Sequence, residues 1–495
     1  MVKRTLHQIV LFFYNKRVCI KKKQIINVYV SDLAEKNQCF GKLDDGMSIF
    51  IQGIVAIGDY VNIEIIKIKK NYIIGKLINV TKKSKQRIQP SCKYFGICGG
   101  CKWQHINYNE QLRLKRKQVS DALIHIGLFN NITVQECVPS KKIFQYRNKI
   151  DFSFTDLRYL SEEEIKSKKN KSNKPIDFAL GFHPKGCYSK ALDIDSCDLA
   201  TKTTNKILAI VKKFCLENTR NLPIYSTKTH KGELRNLVIR HGEKSNQVMI
   251  NLITTSHKPT LMKKLNILIK EELGNSVTTF INSITSAKNT VAISEKEYII
   301  SGSGVIYDYI NSNKYQISAN SFFQTNTSQA EILNQLIIDE AKFKNTDTVY
   351  DLFCGTASIS INIAKYCKKV VGIEIVQSAV DDAFKNIKNN DIKNCNFIKL
   401  DIKNLEKIYE KLKKYGEPDI IIIDPPRAGM HKRTIEIIKK LSPQKLIYVS
   451  CNPASFARDA NIICNQNSYS IKKCIPVDLF PQTNHVECIT IFECN

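Results

Sequence analysis

The residues most able to do chemistry sit where apolar runs stop abruptly. In LIYVSCNPASFARD (446–459) the run Leu446–Val449 reads as a buried strand. Asn452-Pro453 ends it, because proline cannot continue a ladder and asparagine favours turns. Cys451 is thereby delivered to the carboxyl end of a strand, the rim at which open α/β sheets bind ligands. The plainer alternative is a small core cysteine at a strand end. A second stretch, HVECITIF (485–492), sets Glu487 inside an otherwise apolar strand that follows the polar loop FPQTNH. A carboxylate there is costly unless it has a task; the plainer alternative is a solvated edge glutamate. A thiol and a base on one rim suit C-methylation of uracil. Carbon 5 of that ring is too weakly nucleophilic to attack a methyl sulfonium. A thiolate adding at carbon 6 turns the ring into an enolate that can, after which a base removes the carbon 5 proton and the thiolate leaves. The target base must be flipped out to be reached. Cys451 fits the nucleophile, Glu487 the base, and His485 is a lesser rival for the base.

The methyl donor needs its own site. VYDLFCGTASISINIA (349–364) reads as strand, tight turn and helix, with Asp351 and Gly355 flanking the turn and Ser358 placed to cap the helix. Glu374 ends the next strand, about 20 residues on, where a carboxylate can accept both ribose hydroxyls. Asp401 ends the third strand and suits an adenine amino group. The turn reads Cys354-Gly355-Thr356-Ala357 rather than GxGxxG. A looser turn suffices where there is no pyrophosphate to cradle, which favours S-adenosylmethionine over NAD. DIIIIDPPRAGM (419–430) ends the fourth strand in Asp424-Pro425-Pro426-Arg427. Two prolines stiffen that lip and hold a carboxylate and a guanidinium at the cleft. Adenine N-methyltransferases follow a similar lip with an aromatic, so Arg427 argues against their chemistry.

SCKYFGICGGCKWQH (91–105) spaces Cys92, Cys98 and Cys101 as C-x5-C-x2-C. Thiolates so spaced, with glycines between them, can wrap a compact inorganic centre. A fourth ligand is available at Cys187 or Cys197 in GFHPKGCYSKALDIDSCDLA (181–200). Both a [4Fe-4S] cluster and zinc accept four thiolates.

The elements around these residues form three parts. Residues 25–80 read as a small all-β unit, with strand-like runs between Asp44-Asp45-Gly46, Gly53 and Gly58-Asp59 and lysines at 67, 69, 70 and 76. Small barrels of this kind often carry oligonucleotides. A basic linker at 82–89, the cysteines, a helix over 107–127 and a mixed α+β middle follow. The charged loop 162–175 has no assignable role. From about residue 316, strands and helices alternate, implying a doubly wound, largely parallel sheet. The length of 495 residues fits several domains. A formal charge of +29 points to a polyanion, most simply nucleic acid, although the lysine-rich composition contributes to it. The 17 scattered cysteines do not read as a disulfide framework, and no apolar run approaches the roughly 20 residues of a membrane span. The apolar patch at 9–14 lacks a cleavage site and is interrupted at once by Asn15, Lys16 and Arg17. A reducing cytoplasm and a monomer are expected.

Together these motifs resemble the bacterial 23S ribosomal RNA uracil-C5 methyltransferases that carry a TRAM domain and an iron–sulfur cluster. The resemblance spans nearly the whole chain. The expected fold is a Rossmann-like class I methyltransferase domain (316–495), behind a TRAM or OB-like barrel (18–82) and a mixed α+β central domain (83–315). GDYVNIEIIKIKKNYIIGKL is similar to TRAM and CKYFGICGGCKWQH to the cluster motif. The family's fourth ligand lies in a D-I-x-x-C context, which is DIDSC here, so the resemblance selects Cys197 over Cys187 and a [4Fe-4S] cluster over zinc. SFFQTNTSQAEIL resembles the F-x-Q-x-N motif and implies a cofactor contact at Gln324. Further S-adenosylmethionine contacts are implied at Phe353, Ser358, Glu374, Asp401 and Asp424. SCNPASFARD implies the nucleophile Cys451, and HVECITIF the base Glu487. The family usually has glycine where Ala357 stands, and some members have asparagine at Ser358. The implied substrate is 23S ribosomal RNA. The T-loop uridine of transfer RNA and a non-catalytic ribosome-assembly role are the alternatives.

Overall fold

The computed structural model describes residues 20–34, 38–167, 174–288, 294–404, 412 and 414–495. The patch at 9–14 and residues 168–173 of the charged loop 162–175 lie outside them. Two compact units emerge: residues up to Ser91 with Trp103–Leu114, and Cys92–Lys102 with Lys115–Asn495.

The first unit is a barrel-like sheet of β1 (Ile25–Tyr29), β2 (Asp32–Ala34), β3 (Gln38–Lys42), β4 (Ser48–Gln52), β5 (Tyr60–Ile68) and β6 (Tyr72–Lys82), in the order β1-β5-β6-β4-β3-β2. β5 shows why it folds. Val61, Ile63 and Ile65 alternate inward and are fully buried, while Asn62, Glu64 and Ile66 point away. Each inward side chain contributes about 1.5–3 kcal/mol of burial. The buried Asp59 carboxylate accepts the Ala56 N–H at 2.6 Å and pairs with Arg87 at 2.9 Å, which locks the strand's start.

In the second unit, α1 (Tyr108–His125) supplies its later turns. A central mixed sheet follows, built from β7 (Lys149–Thr155), β8 (Ala179–Phe182), β9 (Leu192–Asp193), β10 (Leu234–His241), β11 (Val248–Thr254), β12 (Thr279–Ile284) and β13 (Lys296–Ser301). α2 (Lys202–Glu217) and α3 (Pro259–Leu273) bury Ile207, Leu208, Val211, Met262 and Leu265 in its core. A hairpin, β14 (Ile306–Ile310) and β15 (Asn313–Ile317), leads to α4 (Thr327–Ala341).

The last sheet has the order β18-β17-β16-β19-β20-β22-β21. Its strands are β16 (Thr348–Leu352), β17 (Lys369–Glu374), β18 (Cys395–Lys399), β19 (Ile420–Ile423), β20 (Lys445–Ser450), β21 (Tyr469–Val477) and β22 (Glu487–Cys494). The first five in that order run parallel; β22 lies antiparallel to both neighbours. α5 (Ser358–Ile363), α6 (Gln377–Asn389), α7 (Lys432–Leu441) and α8 (Pro453–Cys464) connect them. Both faces are covered. Val349, Ile420, Ile422 and Ile447 enter one core, and Tyr350, Ile421, Ile423 and Tyr448 the other. Apolar residues on both faces explain the unbroken run Ile420–Ile423. β16 lies between β17 and β19, where the strand order reverses and such sheets bind ligands. Among the described residues no helix is long and apolar enough to cross a membrane.

Candidate active site

The rim of this sheet collects most of the residues singled out above. After β16 the chain turns through Phe353 (φ 65°), Gly355 (φ 54°) and Ala357 (φ 68°). A Cβ built at Gly355 would meet no atom within 4 Å, so this turn opens onto free space. α5 begins at Ser358 itself, with Ala357 as N-cap and no side-chain cap bond. The expectation that Ser358 caps the helix is therefore incorrect: the left-handed Ala357 sets the helix start one residue earlier.

Asp351, in β16, is fully buried. One carboxyl oxygen accepts from the Ser360 N–H and hydroxyl; the other has no hydrogen-bond partner. Burial pushes this carboxyl up to about 7, and Glu374 adds to the shift. Glu374 ends β17 and accepts the Gly355 N–H at 3.1 Å and the Ile375 and Val376 N–H groups at 2.8 and 2.9 Å. It is thus fixed beside the turn. Asp401 lies two residues beyond β18 and accepts the Lys403 N–H at 3.0 Å. It is engaged in its own turn, and the neighbouring Leu400 N–H donates to the Glu374 carbonyl at 2.8 Å. Gln324 is half-buried in the segment before α4. The Thr356 hydroxyl donates to the Phe322 carbonyl at 3.2 Å, tying that segment to the turn. Asn148 donates to the Gln324 carbonyl at 2.7 Å.

The other half of the rim is built by strand register. Ser450 of β20 pairs with Cys488 of β22, so the next step places Cys451 opposite Glu487. Asn452 caps α8 by accepting the Ala454 N–H at 3.2 Å, and Pro453 occupies the first turn. The same Asn452 donates to the Arg427 carbonyl at 2.8 Å, and Ser455 donates to that carbonyl at 3.0 Å. The cysteine loop and the Asp424–Arg427 lip are therefore one assembly.

Cys451 is half-buried. Burial raises its thiol to about 11; Glu487 and Asp424 add to the shift and Arg427 opposes it. Glu487 is 7% exposed, and burial, then Asp424, push its carboxyl well above the usual range against Arg427. Asp424 is half-buried, and desolvation, with Asp351 adding, raises its carboxyl to about 7. His485 meets Arg427 at 3.4 Å, and burial with surrounding cations lowers its imidazole to about 4. The rim therefore gathers a thiol, an imidazole of lowered proton affinity and carboxyls of raised proton affinity around one guanidinium. Such a set can trade protons over short distances.

The Asp478–His485 loop that leads into Glu487 is held from several sides. Lys115, fully buried, pairs with the fully buried Asp478 and donates to the Phe480 carbonyl at 3.0 Å. Tyr146 donates to the Pro481 carbonyl at 3.0 Å, and Asn326 to the Leu479 carbonyl at 3.0 Å. Sequence reasoning missed this support. Lys115 and Asp478 are 363 positions apart, and a lysine on a helix reads as a solvated one.

The cysteine segments meet one another in the central part of the chain. Cys98 bridges Pro184, and the Gly99 N–H donates to the His183 carbonyl at 3.1 Å, which brings the two cysteine segments together. Burial raises the Cys197 thiol to about 11, and Cys98 and Cys92 add to it. Cys101 and Cys197 both act on Tyr146, whose hydroxyl is raised chiefly by burial. Cys187 instead meets Ser189 at 3.8 Å. Among the described residues no three His, Cys, Asp or Glu side chains close on a single ion.

Residues 243–494 match the family model for tRNA (uracil-5-)-methyltransferase, and residues 21–78 match the TRAM domain. An uncharacterized RNA methyltransferase of Chlorobaculum tepidum is 43% identical over 96% of this chain and 97% of that protein. One of Clostridium tetani is 34% identical over 96% and 98%. The crystal structure of Pyrococcus abyssi tRNA (uracil-54, C5)-methyltransferase with S-adenosyl-L-homocysteine is similar with a TM-score of 0.70. It is 26% identical, covering 94% of this chain and 99% of that one.

Proposed function

Because the chain belongs to the tRNA (uracil-5-)-methyltransferase family of S-adenosylmethionine-dependent RNA methyltransferases, we propose that it methylates carbon 5 of a uridine in 23S ribosomal RNA through a Cys451 adduct. The observation that carries this reading is the register that sets Cys451 opposite Glu487 beside Asp424. Cys451 gives its proton to solvent, its sulfur bonds to carbon 6 of the flipped uracil, and the carbon 5–carbon 6 π electrons pass into an enolate. Carbon 5 then takes the methyl. Glu487 removes the carbon 5 proton, the ring double bond re-forms, and the carbon–sulfur bond breaks.

S-adenosylmethionine supplies an electrophilic methyl group when bound. The residues present fit it: the unpartnered Asp351 oxygen and the open turn at Gly355 leave room and hydrogen-bonding capacity. Phe353, Ser358, Glu374 and Asp401 would hold the nucleoside part, with Gln324 and Asp424 orienting the cofactor or the base. Cys92, Cys98, Cys101 and Cys197 would hold a [4Fe-4S] cluster. The Cys98 and Cys92 charges that add to the raised Cys197 thiol support Cys197 as the fourth ligand. The cluster's part is structural, since no redox step is needed. The TRAM-like barrel (18–82), the central domain (83–315) and the methyl-transfer domain (316–495) then share one RNA substrate. The chain works in the cytoplasm as a monomer.

A second reading, the T-loop uridine of transfer RNA, is favoured by the similarity to the Pyrococcus abyssi enzyme, a tRNA (uracil-54, C5)-methyltransferase. Tritiated methyl transfer to unmodified 23S RNA and to unmodified transfer RNA separates them. Label in 23S RNA alone supports the first reading, label in transfer RNA alone the second, and label in neither makes the chain a non-catalytic RNA-binding factor.

A further inference from the structure

Three cations near the catalytic loop have no task in the chemistry above. The Lys102 N–H donates to the Gln482 carbonyl at 2.9 Å, so Lys102 is anchored beside the loop. Arg147 follows Tyr146, whose hydroxyl holds the adjoining Pro481 carbonyl, and its own backbone N–H donates to the Leu199 carbonyl at 3.0 Å. Arg427 meets the loop at His485. Their convergence is also visible at that imidazole. After burial, the charges that depress it are those of Arg427, Lys115, Arg147 and Lys102.

Lys115 is neutralised by Asp478. The other three have no carboxylate within ion-pair reach among the described residues, and the buried Arg147 Nε has no hydrogen-bond partner. Four lysines of the same unit do have carboxylate partners: Lys93 and Lys174 with Asp195, Lys212 with Asp193, and Lys142 with Glu243. Gathering partly desolvated cations that make no ion pair of their own is unfavourable unless an anion completes the site. A nucleic-acid strand supplies one anion per nucleotide, and guanidinium groups match phosphate geometry. Flipping a nucleotide also requires the phosphates on either side of it to be gripped.

We infer that Lys102, Arg147 and Arg427 form a phosphate clamp that binds the RNA backbone flanking the flipped uridine. The clamp rests on the proposed RNA substrate but not on the covalent chemistry, and its test needs no turnover. The probe is a fluorescein-labelled single-stranded oligouridylate of about 12 nucleotides, comparable to the site sizes of single-strand binders. Fluorescence anisotropy follows its binding to the full chain carrying Cys451→Ala, between about 50 and 200 mM salt. Each charge removed from a single-strand contact flattens the plot of log affinity against log salt by about 0.7. Lys102→Gln with Arg147→Gln should therefore flatten it by about 1.4, and either single variant by about half as much. Lys102→Arg should restore the parental slope. Lys296→Gln, at an exposed position on β13, should leave it unchanged. Thermal unfolding and S-adenosylhomocysteine binding verify that each variant is folded, and the single variants decide the matter if the double variant is not. An unchanged slope in the variants, equal flattening by Lys296→Gln, or no oligouridylate binding by the parent would each overturn the clamp. A chain that methylates RNA with an unchanged slope would sink the clamp alone. A chain that never methylates but shows the flattened slope would sink only the reaction.

Discussion

At the scale of single residues, the rim is a proton store. With the thiol near 11 and Glu487 well above the usual carboxyl range, each negative charge discourages the next. Removing the ionised Glu487 in Glu487→Gln should lower the apparent pKa of Cys451, moving its pH profile of iodoacetamide alkylation, read by peptide mass spectrometry, below about 11. An unmoved profile would separate the two groups. The same variant should lose about 10²–10⁴-fold in turnover, the usual worth of a general base. Asp351 and Asp424 add a stability signature. Their folded pKa values near 7 lie above the roughly 3.9 of an unfolded aspartate. The folded state therefore holds those protons more tightly, and stability is lost as pH rises from about 4 through about 7. The ligand-free protein should melt higher at pH 6 than at pH 8, and Asp351→Asn should shrink that difference. Both catalytic candidates were legible because each breaks a local pattern: a cysteine runs into Asn-Pro, and a glutamate interrupts an apolar strand. Asp351 was legible only as a neighbour of the turn; its unpartnered oxygen is a fact of packing.

At the scale of elements, the alternation of isoleucine-rich strands and helices predicted the C-terminal sheet well, because strands covered on both faces have little freedom of composition. The support of the catalytic loop was not legible. It depends on Lys115 in α1 reaching Asp478, and helical periodicity cannot specify so distant a partner. Breaking a buried pair leaves an uncompensated charge. Lys115→Met should cost about 3–5 kcal/mol in denaturant unfolding, whereas Lys115→Met with Asp478→Leu should recover most of it. If the double variant is no better than the single one, the loop is held mainly by its backbone hydrogen bonds. The helix start at Ser358 was misplaced for a related reason: Ala357 adopts a left-handed conformation that its residue type does not advertise.

At the scale of the whole molecule, the +29 charge pointed to nucleic acid, and the matched TRAM domain and RNA methyltransferase relatives agree. The cysteine spacing left two candidates for the fourth position, and the resemblance selects Cys197, whose thiol is raised by burial with Cys98 and Cys92 adding. Anaerobically purified protein should be brown, and Cys197→Ser should lose the broad visible absorption and melt earlier, while Cys187→Ser keeps both. Equal loss in both variants would contradict the assignment of the fourth ligand. The most direct test of the whole reaction is a denaturing gel of Glu487→Gln incubated with S-adenosylmethionine and unmodified RNA, with the adduct peptide mapped by mass. A retarded protein–RNA band joined through Cys451, absent when Cys451→Ala is added to the variant, is the expected result. Methylated RNA made by the Cys451→Ala protein, with no such band from Glu487→Gln, would contradict it.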